Sequence, residues 1–137
     1  MSTLTVATIK SLSGQPTVFQ KSNGVEIGQL AMAWVNIDGG TSTDGNFTIR
    51  DDFNISSVED TAAGVYTVNI DRNMANTNYC VASAFGRATS NNQTSENISE
   101  FDPSTRSAGS FKLRTGNSEN NVAFDFPLVQ AVVFGAT

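Results

Sequence analysis

The sequence predicts an all-β protein: a single antiparallel β-sandwich, jelly-roll-like, with an extended segment at its N-terminus. Three observations predict it. Short apolar runs rich in Val, Ile, Phe, Tyr and Thr recur between breaks rich in Gly, Asn and Asp, the pattern of strands joined by turns. Charged residues are 15% of the 137, below the roughly 25% of ordinary domains, and Asn, Ser, Thr and Gly fill the difference. No stretch carries the apolar period of an amphipathic helix, and no internal repeat is visible.

Taken in order, residues 1–28 stand apart. Leu4, Val6 and Thr8 alternate with Thr5 and Ala7, which suits a short strand. Ser11 to Pro16 breaks it, Thr17-Val18-Phe19 resumes it, Ser22-Asn23-Gly24 turns, and Gly28 ends the segment. Its few apolar residues cannot build a core, so it is expected to pack on the main domain, another subunit or a larger assembly. The domain proper is residues 29–137. Leu30, Met32 and Trp34 alternate with Ala31, Ala33 and Val35, and both faces read as buried. Asp38-Gly39-Gly40 and Asp44-Gly45-Asn46 read as breaks after this strand. Phe47 to Arg50 alternates, Asp51-Asp52 reads as a bend, and Phe53 to Val58 as the next strand. Ala63-Gly64 turns into Val65 to Ile70, and Tyr79 to Phe85 follows, ended by Gly86.

Residues 87–108 form the longest polar stretch and read as one long loop, with only Ile98 and Phe101 bulky and apolar. Loops of that length within a compact domain are commonly functional or disordered. Phe111 to Arg114 alternates cleanly, Gly116 to Asn121 turns, Val122 to Phe126 is a short strand, and Val129 to Phe134 closes the core. About eight short strands result.

Composition bounds the chemistry. Net charge is −5 with no Lys/Arg cluster, so no nucleic-acid partner is expected. With no histidine, a Ser-His-Asp triad, a His-ligated zinc and an imidazole base are all ruled out. Cys80, the one cysteine, lies in an apolar run and reads as a buried, inert thiol. No signal peptide and no apolar run long enough for a membrane span is visible. Four Asn-x-Ser/Thr sequons, at Asn46, Asn54, Asn92 and Asn97, read as chance in an Asn-rich chain.

Asp38, Asp44 and Asn46 lie in a Gly-rich stretch but lack the ligand spacing of an EF-hand, and read as a solvated turn. Glu96, Glu100 and Asp102 are the carboxylates from which a glycosidase pair would have to come, yet polar loops carry acids anyway. No catalytic, metal or cofactor site is therefore expected. Arg50-Asp51-Asp52 reads as a local ion pair. Trp34 is a candidate for stacking on a sugar, but its apolar flanks favour the core.

The segments A-W-V-N-I-D-G at Ala33–Gly39, I-R-D-D-F-N-I-S-S-V-x-D at Ile49–Asp60 and G-V-Y-T-V-N at Gly64–Asn69 resemble a domain of tail-fibre-like and other virion structural proteins of tailed bacteriophages, especially those of aquatic bacteria. The closing Ala131 to Gly135 and the opening Leu4 to Ile9 with Gly14 are similar to that family's end and leader. The resemblance covers most of the chain except residues 87–108. It implies a virion protein, on tail or head, that assembles as a homotrimer. Residues 1–28 would then attach it to other virion proteins or knit the three chains together. The 87–108 loop would lie at the particle-distal end, with Asn91, Asn92, Glu96, Glu100, Phe101 and Asp102 as its surface-contact residues. The alternative is a receptor-binding, lectin-like module that uses this loop on host surface glycans.

Overall fold

The structure is a computed structural model and describes residues 18–20, 23, 26–87 and 96–136. The short strand expected around Leu4 to Thr8 lies outside these residues. The fold is all-β and antiparallel, as the sequence predicts. Two strands, β1 (Val18–Gln20) and β2 (Glu26–Gln29), pair only with each other. The rest forms one nine-stranded sheet from β3 (Ala33–Thr43), β4 (Asn46–Phe53), β5 (Ile55–Ala62), β6 (Val65–Ile70), β7 (Cys80–Gly86), β8 (Glu96–Glu100), β9 (Ser110–Asn117), β10 (Val122–Ala123) and β11 (Leu128–Phe134). Its order is β10-β9-β6-β5-β4-β3-β11-β7, with β8 also paired to β9.

Alternation in the sequence decides which way each side chain points. In β3, Ala33, Val35 and Ile37 are buried, and Trp34, Asn36 and Asp38 face the other side. The same period buries Tyr66, Val68 and Ile70 of β6, Phe111, Leu113 and Thr115 of β9, and Val129, Ala131 and Val133 of β11. Except for Thr115, these residues belong to one cluster, although their strands lie far apart in the sheet order. The sheet must therefore curl around a single core. It bends most easily between β4 and β5, which share only the pair Asn46↔Glu59. Each large aliphatic or aromatic side chain in this cluster contributes roughly 1.5–3 kcal/mol before entropy is counted.

Curling brings the edge strands β7 and β8 together. Among the described residues no ladder joins them; side chains do. At one end Arg87 pairs with Glu96, 2.7 Å apart, its guanidinium resting against the rings of Phe124 and Phe126. At the other end Arg106 forks onto Glu100, donates to Thr77 O and Tyr79 O, and stacks 4.6 Å from the centre of the Tyr79 ring.

Several expectations are corrected. Asp38-Gly39-Gly40 is no break: β3 runs through it to Thr43. Gly39 is there because the strand passes tightly under its neighbours. A Cβ at Gly39 would sit 2.3 Å from Phe126 O and 2.6 Å from Tyr66 Oη. Asp51-Asp52 is no bend; β4 runs on through Phe53 and the bend is at Asn54, whose φ is +59°. Asn54 Nδ2 donates to Met32 O (3.0 Å) and Arg72 O (3.2 Å), and Oδ1 accepts from Arg72 N (2.8 Å), so one side chain ties three segments. Arg50 pairs with Asp38 across the β3–β4 hairpin, not with its neighbours in sequence. Gly116 and Asn117 belong to β9, and β10 is shorter than the strand expected at Val122 to Phe126.

The largest correction concerns residues 87–108. They are not one loop: Glu96–Glu100 is a strand in register with β9, from Glu96↔Asn117 to Glu100↔Leu113, and Pro103–Thr105 forms one turn of 3-10 helix. Replacing the whole stretch by a short linker would remove a paired strand and both Arg–Glu links. It is therefore expected to cost stability instead of leaving folding intact.

Tyr79 carries a pH prediction. It is 4% exposed, and its hydroxyl lies 2.8 Å from both Ser107 O and Ser110 O. Burial pushes its phenol up to about 12, against the partial opposition of Arg106. The folded-state value exceeds the unfolded value of 10, so this stabilising contribution is complete below pH 10 and is lost as pH rises through about 12. Stability should fall by roughly 2–3 kcal/mol over that window from this group. Tyr66, raised by burial in the same direction, adds to the loss. Urea midpoints at pH 9 to 12 should show the fall in the natural chain and a smaller one in Tyr79→Phe (roughly 2–3 kcal/mol less).

Candidate functional site

Residues that face away from the core on β7, β11, β3 and β4 line up in register. One row reads Ala82–Val132–Trp34–Phe53 and the next Ala84–Gln130–Asn36–Asp51. At ~4.8 Å between strands each row is ~14 Å long. The first row is apolar and the second is amide, carboxylate and methyl. Phe53 is 49% exposed, and Trp34 and Val132 are half-buried. The small side chains of Ala82 and Ala84 on β7 leave the face concave, and a groove of about 440 Å³ runs along it, lined also by Trp34, Asn36 and Gln130. That volume lies within the ~300–1,000 Å³ of ordinary small-ligand sites.

Two features of this groove are chemically distinctive. Trp34, the one tryptophan of the chain, is here and not in the core where its flanks suggested. Asn36 Oδ1 is buried and has no hydrogen-bond partner among the described residues. Buried acceptors are almost always satisfied, so an unsatisfied one beside a groove marks an amide that gains a hydrogen bond if it turns toward a donor there. Cys80 also departs from expectation: it is exposed, because its parity on β7 matches that of Ala82 and Ala84 and so points it outward.

The residues picked from sequence lie elsewhere. Asn91 and Asn92 are outside the described residues. Glu96 and Glu100, two register positions of the same strand, are each engaged by an arginine at the β7–β8 junction. Asp102, at φ +48°, caps the 3-10 turn by accepting from Ser104 N, and Phe101 is 39% exposed beside it. Ile98 packs on the core, whereas Phe101 does not. Asp44 sits in the tight β3–β4 turn at φ +53° and Asp38 is held by Arg50. No group of three or more acidic, Cys or His side chains suited to a metal ion occurs among the described residues. No helix among them is long and apolar enough to cross a membrane.

The groove residues were missed because an apolar run was read as core on both faces. The signal was present: Asn36 and Asp38 share the parity of Trp34, and Gln130 interrupts the run Leu128 to Phe134. Polar residues in phase with a tryptophan mark a face that is not core.

No protein-family model matches the chain, and no curated protein or solved structure matches it.

The N-terminal strands are the second feature to explain. The β1–β2 ladder holds three pairs, Val18↔Gln29, Phe19↔Gly28 and Gln20↔Glu26, and is not part of the nine-stranded sheet. A polar link to the domain follows it: Gln29 Nε2 donates to Gly135 O at 2.6 Å. A two-stranded hairpin is marginally stable by itself in water.

Proposed function

We propose that this chain is a structural protein of a bacteriophage virion, tail-fibre-like or head-decorating, that works as a homotrimer. The observation that carries the reading is the separate β1–β2 ladder. A hairpin that adds nothing to the domain's own sheet gains stability by adding strands from neighbouring chains. The resemblance of Ala33–Gly39, Ile49–Asp60 and Gly64–Asn69 to phage virion domains supplies the setting and the three-fold stoichiometry. In this reading residues 1–28 join three copies and attach them to other virion proteins, and the curled sheet is the rigid body they present.

Deleting residues 1–28 tests the proposal. Among the described residues every buried core residue lies at Met32 or beyond, so the truncated chain should keep its fold. It should run as a monomer and fail to enter particles. A truncated chain that still forms trimers and still incorporates normally contradicts the reading.

A second reading, a lectin-like module that contacts host surface glycans, is favoured by one observation: the groove that sets Trp34 beside an unsatisfied amide oxygen. The two readings use different parts of the chain and are compatible.

A further inference from the structure

We propose that the groove on the outer face of β4, β3, β11 and β7 is a binding site for a neutral saccharide, with Trp34 as the stacking surface and Asn36, Asp51 and Gln130 as the hydrogen-bonding edge. The inference deepens the lectin-like reading and rests on it. It moves that site from the 87–108 segment to the sheet.

The chemistry of the two rows selects the ligand. A sugar ring has an apolar C–H face and an equatorial rim of hydroxyls. The apolar row Val132–Trp34–Phe53 meets the first, and the polar row Gln130–Asn36–Asp51 meets the second, one strand register along. Indole is a wide, rigid surface whose ordering costs little entropy, so it suits stacking. The Asn36 carboxamide belongs to the same row; its Oδ1 is closed to solvent, so it receives a sugar hydroxyl only once the amide turns outward. A hydroxyl also accepts, which the Gln130 amide can use, and it donates to the Asp51 carboxylate. Ala82 and Ala84 carry only methyl groups, so nothing on β7 fills the space a ring would take.

Charge narrows the class. Among the described residues the groove holds a carboxylate and no cation, on a chain of net charge −5. Arg50 and Arg87, which flank Leu128 at the end of this face, are held by Asp38 and Glu96. Sialylated, uronic-acid or phosphorylated glycans would meet repulsion here, and neutral hexoses and N-acetylhexosamines would not.

Because Trp34 is the one tryptophan, its emission reports this groove alone. The full chain is applied to an array of neutral and sialylated glycans. The best neutral oligosaccharide is then titrated while tryptophan emission and acrylamide quenching are followed. The expected result is binding to neutral glycans only, a saturable shift in emission, and loss of quencher access. Trp34→Ala should weaken array binding by about tenfold or more, as truncation of a central aromatic anchor does. Gln130→Ala, at an exposed position that no fold contact needs, should weaken it several-fold with an unchanged unfolding transition. A blank array overturns both this site and the lectin-like reading. Array binding that survives Trp34→Ala and leaves the emission unmoved overturns the site and leaves a lectin elsewhere. Quencher access that is already lost without sugar also overturns the site. If that loss depends on protein concentration, a second copy covers the face; if not, the chain's own N-terminal residues do.

Discussion

Gly64→Ala should destabilise the protein by about 3 kcal/mol or more, through two penalties that add. Gly64 sits in the β5–β6 turn at φ +68°, a conformation that costs a residue with a Cβ roughly 1–2 kcal/mol. The added Cβ would also lie 2.4 Å from Thr115 O and 2.8 Å from Phe124 N, both backbone atoms. The turn cannot withdraw. Gly64 N donates to Asp125 Oδ1 at 2.7 Å, and Gly64 O accepts from Thr115 N at 2.8 Å. Moving the turn would disturb β9, and through Thr115 and Phe124 it would reach Tyr66, whose hydroxyl accepts from Phe126 N at 3.1 Å. Urea unfolding should show a lower midpoint with an unchanged slope. A loss below about 1 kcal/mol would mean that this turn is not pinned between β9 and the 124–126 segment.

Arg106→Ala should cost about 2–3 kcal/mol and loosen the junction between β7 and β8. The side chains of Arg106 and Glu100 are 17% and 21% exposed, so solvent screens their pairing only in part. Truncation leaves Glu100 half-buried without its partner and takes donors from Thr77 O and Tyr79 O. It also uncovers the Tyr79 ring. Arg106→Lys should recover only part of the loss, because an ammonium cannot fork onto the carboxylate while reaching two carbonyls. Hydrogen exchange should rise first in β8, whose one ladder among the described residues is to β9. A double-mutant cycle with Glu100→Gln isolates the pair. A coupling energy below about 0.5 kcal/mol, with unchanged exchange in β8, would show that the junction is held by something else.

Strands that carry their own packing were legible in the sequence. Val65 to Ile70 and Leu128 to Phe134 are rich in β-branched residues, and each is a strand within a residue of the expected bounds. β8 was not legible for a physical reason. Glu96-Asn-Ile-Ser-Glu offers one apolar side chain, and its order comes from the β9 ladder and from Arg87 and Arg106, which flank it outside the strand. Gly39-Gly40 looked like a turn because glycine serves turns and close approaches alike; the crowding by Phe126 O and Tyr66 Oη is tertiary information. Trp34 was misplaced because a tryptophan between Ala33 and Val35 fits a core strand on composition, whereas period alone decides its face. The acidic residues of the polar stretch drew attention as a contact surface, yet Glu96 and Glu100 are engaged inside the fold.

In the proposed assembly three chains join through residues 1–28. Native mass spectrometry of the intact chain at micromolar concentration, run beside the chain lacking residues 1–28, tests it most directly. The predicted result is a species of three chain masses for the intact protein and one chain mass for the truncated one, with matching near-ultraviolet circular dichroism. An intact chain that is monomeric at that concentration contradicts the claim.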